Sequence, residues 1–316
     1  MPEADMMTIQ KEIFRMIMDL EASATQRALT SLEERPIIIC DRGLPDAIAY
    51  VGIARFKQVL EKFGFTHERD VREARYDAAI HLRSAAHGKE EHYSSATNST
   101  RKENAKEARA LCDRTLDAWL GHEHLAVVGN SHSSFEDKLE RVWRETRRLI
   151  GIPEPLEIEK KLLVMPVDFA KLDINHHTVD IEQHYLSLPG ERERIIRVRA
   201  LREGTHALYT LTSKKELSPG VVREEEERIS EFTYLRYLKY HDTRTQVIKK
   251  QRTSFVWDDQ YFVYDCFEAS EPRLSLIEIE LGSQDDEVRL PPFVTLIADV
   301  TGDRRFSNYE IARIAT

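Results

Sequence analysis

Ile9, Ile13, Met16, Ile17 and Leu20 recur at helical spacing and predict an amphipathic helix from 8 to about 30. Pro36-Ile37-Ile38-Ile39-Cys40-Asp41 is a short apolar run ending in an acid, the pattern of a buried parallel strand. Helical pattern continues through Val59-Leu60, and a second strand is expected over Tyr76 to Leu82. A charged helix around 101–119 leads to a third strand, Leu125 to Asn130. A last helix, from about 134 to 150, is stopped by Gly151-Ile152-Pro153. Strands alternating with helices predict a parallel α/β sheet.

After Pro155 the pattern becomes strand-dominated. Segments near 157–165, 181–187, 193–202, 206–212, 221–229, 246–255, 260–267, 274–281 and 294–300 read as strands. Helical signal survives only near 230–239 and at the C-terminus. The change in pattern predicts two domains, 1–152 and 153–316, the second a barrel or sandwich.

In a strand, residues i, i+2 and i+4 share a face. Glu157, Glu159 and Lys161 therefore point one way, as do Arg197 with Arg199, Lys250 with Arg252, and Glu278 with Glu280. The residues between them are largely apolar. Glu225 and Glu227 are less certain partners, because Glu224 and Glu226 interrupt the alternation. Any one such strand reads equally as a solvated sheet face. Four together, acidic or basic by strand, point to a shared charged lumen, because ordinary surfaces mix their signs. Such a lumen is expensive to desolvate empty, and a polyanion with a divalent metal resolves it.

Composition narrows the picture a little. The chain has 316 residues, 41% hydrophobic and 32% charged, which is the make-up of a folded globular protein. A formal net charge of -9 argues against a bulk grip on nucleic acid and leaves room for a local basic pocket. Cys40, Cys112 and Cys266 are scattered, as free thiols in a reducing compartment would be. His122, Glu123, His124, His132 and the His176-His177 pair lack the spacing of a zinc site.

Glu157-Ile158-Glu159-Lys160-Lys161 matches the E-x-E-x-K signature of the CYTH domain, the triphosphate tunnel fold. The resemblance continues in order through Arg197-Val198-Arg199, Lys214, Lys250-Gln251-Arg252, Asp265, Glu278-Ile279-Glu280 and a closing segment from Asp299 to Asn308. It implies an eight-stranded antiparallel tunnel barrel. It further implies Mg²⁺ or Mn²⁺ on Glu157, Glu159, Glu278 and Glu280, with phosphates on Lys161, Arg197, Arg199, Lys214, Lys250 and Arg252. That family includes triphosphatases and adenylate cyclases, so the fold alone does not choose the reaction.

Ile37 to Gly43 resembles the D-R-G strand end of P-loop nucleoside and nucleotide kinases, and Asn98, Arg101 and Glu103 sit where a lid would be. Asp41, Arg42 and Arg101 thus form a candidate nucleotide site in an incomplete, P-loop-kinase-like parallel α/β domain. No G-x-x-x-x-G-K-[ST] occurs in the sequence. The chain is expected to start in the helix after that element, with no kinase reaction from this domain. The domain order, with Tyr76 to Leu82 and Ala118-Trp119-Leu120-Gly121-His122, resembles the TRPL translocation defect family, a NadR-like P-loop domain fused to a CYTH-like one. That resemblance implies a cytoplasmic protein, peripheral on membranes. Its tunnel would bind a nucleoside triphosphate such as GTP, or a phosphoinositide head group, in membrane trafficking. The alternative is a metal-dependent triphosphatase.

Overall fold

The computed structural model describes residues 3–33, 36–93, 103–130, 134–151, 158–191, 194–218, 221–268, 273–282 and 286–313. The chain forms two compact units, Met1–His124 and Leu125–Thr316.

In the first unit, helix α1 (Glu3–Leu29) is followed by short helices α2 (Ile48–Val51) and α3 (Ile53–Lys62). Phe14, Leu44, Val51, Phe56, Val59, Leu60 and Val71 form their shared core. Strand β1 (Ala79–Leu82) and helix α4 (Ala105–Asp117) complete the unit; Asn104 and Glu107 cap α4 reciprocally. The strand expected at Pro36–Asp41 does not form. Ile37, Ile38 and Ile39 are 54%, 42% and 85% exposed, and no described strand pairs with them. An apolar run becomes a strand only where neighbours take up its backbone hydrogen bonds.

The second unit opens with β2 (Leu125–Val128) and α5 (Phe135–Leu149). Helix α5 ends at Gly151, whose φ of 68° suits the left-handed turn that stops a helix. Nine antiparallel strands follow: β3 (Glu159–Val164), β4 (His176–Leu186), β5 (Ile195–Glu203), β6 (His206–Ser218), β7 (Val221–Ile229), β8 (Ile248–Trp257), β9 (Gln260–Phe267), β10 (Ser275–Glu280) and β11 (Leu296–Asp299). Their order in the sheet is β11-β3-β10-β9-β8-β4-β5-β6-β7.

Among the described residues nothing pairs β7 with β11, so the sheet is open and the expected closed eight-stranded barrel is corrected to a nine-stranded open sheet. Its two edges explain this. β11 is four residues long with a register shift, and β7 carries the charge run Glu224 to Glu227, a composition that discourages edge pairing.

One sheet face buries Leu162, Val164, Phe255, Phe262, Tyr264, Ile277 and Ile279 around Phe169. Further along, helix α6 (Glu231–Tyr237) lays Tyr234 over Ile196, Val198 and Ala200. On the other face, Tyr185, Ile248, Phe267 and Leu276 pack with Val300 and with Ala312 of helix α7 (Asn308–Ala312). This apolar floor closes one end of the face that carries the charges.

Candidate phosphate and metal site

Strand register places the predicted charges together. Glu278 lies opposite Lys161, and Glu280 opposite Glu159. Asp265 lies opposite Arg252, Gln183 opposite Arg199, and Tyr185 opposite Arg197. Thr212 sits between Arg197 and Glu226, and Lys214 faces Glu224. Directly opposed residues share a face, so these side chains line one continuous surface. Of the predicted residues, Glu159, Glu278, Glu280, Lys161, Arg197, Arg199, Lys214, Lys250 and Arg252 all belong to it. Glu157 lies outside the described residues.

The middle of the surface is a buried three-charge cluster. Arg252 donates Nε to Asp265 Oδ1 at 2.8 Å and Nη2 to Asp265 Oδ2 at 2.7 Å. Lys250 donates Nζ to the same Asp265 at 2.6 Å and to Asn308 Oδ1 at 3.1 Å. Lys250 and Asp265 are 2% and 1% exposed. One carboxylate thus serves two cations. The outcome is asymmetric: Asp265 is held well below the usual carboxylate range by Arg252 and Lys250 against its burial, while burial brings Lys250 down to about 8 because Arg252 shares its partner.

The acidic side is frustrated in the opposite sense. Lys161 Nζ sits 3.2 Å from Glu159 and 3.0 Å from Glu278. Burial and the Glu278 charge raise Glu159 above its ordinary value, whereas Lys161 and Arg252 pull Glu278 below it despite burial. Glu280 is taken by Arg148 of α5, which also holds Glu145 at 3.0 Å. Directly opposed carboxylates such as Glu159 and Glu280 destabilise a sheet unless a cation joins them. An all-carboxylate donor set suits Mg²⁺ or Mn²⁺ in its chemistry, but among the described residues these carboxylates are engaged by Lys161 and Arg148 and no three of them converge at ligating distance.

Towards β7, Arg197 pairs with Glu224 at 3.1 Å, Lys214 with Glu224 at 2.6 Å, and Arg199 with Glu226 at 2.5 Å. Glu224 and Glu226 therefore face the site, and Glu225 and Glu227, whose facing the sequence pattern left uncertain, do not belong to it. Thr212 donates Oγ1 to Glu226 at 2.6 Å. Sequence reasoning gave Asp265 no role and missed Gln183, Tyr185, Thr212, Glu224 and Glu226. The exposed end of an acidic run and lone uncharged residues leave no alternation to detect.

In the first unit, Asp41 and Arg42 are exposed, and Arg42 turns to Asp46 at 3.5 Å. Asp46 is buried and accepts the Trp119 indole N–H at 2.7 Å. Gly43 packs against that same ring. Arg101 lies outside the described residues. Nothing described here brings phosphate-binding groups together.

Residues 2–138 match a family profile described as AAA domain. An inorganic triphosphatase of Nitrosomonas europaea is 30% identical over 156 residues, 49% of this chain and 96% of that protein. This chain belongs to the CYTH triphosphatase family. The solved inorganic triphosphatase NE1496 is 29% identical and covers 50% of this chain and 95% of its own, with a TM-score of 0.37. The adenylyl-cyclase-like protein HpAC1 from Hippeastrum, described as having a dominant triphosphatase activity, is 18% identical. It covers 40% of this chain and 80% of its own, with a TM-score of 0.28. Membership in the CYTH family carries with it the antiparallel sheet and the motifs that run along it. No helix among the described residues is long and apolar enough to cross a membrane.

Proposed function

We propose that residues from about 153 onward bind an inorganic or nucleoside triphosphate and hydrolyse it with a divalent metal. The observation that carries this reading is the register of one sheet face, which gathers carboxylates on β3 and β10 beside cations on β8 and β5. Family membership supports hydrolysis over simple binding.

Each cation on the face is held by a carboxylate when no ligand is bound. Phosphate oxygens would replace those carboxylates on Lys250, Arg252, Arg197, Arg199 and Lys214. Glu159, Glu278 and Glu280, with Glu157, would hold Mg²⁺ or Mn²⁺, which when bound neutralises phosphate charge and activates water. Lys161 sits at the border of the two halves, against Glu159 and Glu278, and would be free to meet the phosphate chain where those carboxylates hold the metal. The Tyr185 hydroxyl, which burial pushes up to about 12, is protonated at neutral pH and would donate to a phosphoryl oxygen of the ligand. The α7 floor and the buried cluster exclude bulk water from that end.

Glu159→Gln tests the assignment. It should leave the fold intact and reduce phosphate release from tripolyphosphate by at least about a hundredfold, the usual effect of removing a charge-stabilising group. Release at the wild-type rate would sink it. The binding-only reading, with GTP or a phosphoinositide head group at a membrane surface, uses the same phosphate grip. The finer TRPL assignment rests on the order of an AAA-like segment and a CYTH-like one.

A further inference from the structure

Most polar groups on the charged face are matched by a neighbour. Gln183 on β4 is not. It is 1% exposed, and neither Oε1 nor Nε2 makes a hydrogen bond. A second buried atom on this face shares the condition: Nε of Arg197, whose Nη2 is held by Glu224. Gln183 stands opposite Arg199, two residues from Tyr185, which stands opposite Arg197. Gln183 and Arg197 both lie beside the Tyr185 hydroxyl, where they act against the burial that raises its pKa.

An unsatisfied buried amide is a standing penalty, and an apolar residue of the same size would remove it. The two orphaned groups belong to adjacent strands and face the same surface. Each offers an unmatched N–H donor, Nε2 of Gln183 and Nε of Arg197, on a face that gathers cations, which suits an anion; Gln183 also carries an unmatched acceptor, Oε1. A water would need several polar partners and would be displaced by any ligand that meets the same donors.

We infer that Gln183 is a substrate-contacting residue whose Nε2 donates to a phosphoryl oxygen of the bound triphosphate beside the Nε of Arg197. The proposal rests on the triphosphate reading given above and adds a residue that carries no charge. It predicts a trade between stability and binding: the amide destabilises the ligand-free protein, and its Nε2 donor, though not its Oε1 acceptor, is met when phosphate arrives.

Full-length wild type and Gln183→Met are compared by calorimetry with tripolyphosphate and Mg²⁺, and by thermal melting without ligand. Gln183→Leu serves as a second variant should the first fail to fold. The expected result is binding weaker by about tenfold or more, with a ligand-free melting temperature equal to or above that of wild type. Affinity within about twofold of wild type would overturn the assignment while leaving the triphosphate site standing. Weaker binding with a lower melting temperature would also overturn it, because Gln183 would then be structural. Wild type that binds no tripolyphosphate would remove the triphosphate reading itself and this residue's role with it.

Discussion

Asp265 holds Lys250 and Arg252 on a single carboxylate deep in the sheet, and both directions of charge at the site follow from that shortage. Asp265→Asn would strand two cations and should lower stability by about 3–5 kcal/mol in denaturant titrations. A loss under about 1 kcal/mol would mean that solvent reaches the cluster. Lys250 gives a second, pH-dependent outcome. Its folded value of about 8 is below the ordinary 10.5, so the unfolded chain binds more protons between those limits. Ligand-free stability should therefore rise as pH climbs from 8 to 10.5. The affinity for tripolyphosphate should fall over the same range, by up to about tenfold per pH unit, as Lys250 loses its charge. Parallel trends in the two titrations would contradict this. Asp265 was legible only through the family resemblance and Gln183 not at all, because a lone acid and a lone amide look the same in a strand whether buried against cations or turned to water.

Strands were the most legible elements. All nine strand segments expected after Pro155 appear in the sheet, since alternation of charge with Ile, Val and Leu leaves little choice of facing. Where alternation failed, so did the reading: the run Glu224 to Glu227 does not say which pair faces inward, and the register had to decide it. The Pro36–Asp41 run has strand composition but lacks neighbours, which a single segment cannot reveal. Helix α5 carries a contact that no periodicity shows, the pairing of Arg148 with Glu280. Gly282 follows that strand, and a Cβ there would come within 2.7 Å of Arg144 and Glu145, so the helix seats closely on the acidic end. Arg148 thus occupies a carboxylate assigned to the metal. Arg148→Gln should tighten Mn²⁺ binding by several-fold, to be measured by calorimetry without phosphate. Unchanged or weaker binding would show that Arg148 supports the site rather than competing for it. In the first unit, Gly43→Ala would put a methyl 2.7 Å from the Trp119 ring and 3.1 Å from Tyr76. Two rigid rings leave little room to yield, and a loss of about 1–3 kcal/mol is expected by thermal or chemical unfolding.

At the scale of the whole chain, a net charge of -9 coexists with a face that gathers six cations. The ligand is drawn by that local field, not by the molecule's overall charge. The change in periodicity predicts two domains divided at 152/153, whereas the compact units divide at His124/Leu125, with β2 and α5 in the second. Closure of the sheet depends on whether the two edge strands pair with each other, which the charge run on β7 and the brevity of β11 do not decide from sequence alone. Ligand linkage gives a bulk prediction: tripolyphosphate with Mg²⁺ at a hundredfold its Kd should add about 2.7 kcal/mol to unfolding. The most direct test is steady-state phosphate release from tripolyphosphate by the full-length chain, with Mg²⁺ or Mn²⁺ and with a chelator. The account predicts multiple turnovers that require the metal and vanish with the chelator. Tight binding of tripolyphosphate without release, or release that ignores the metal, would contradict it.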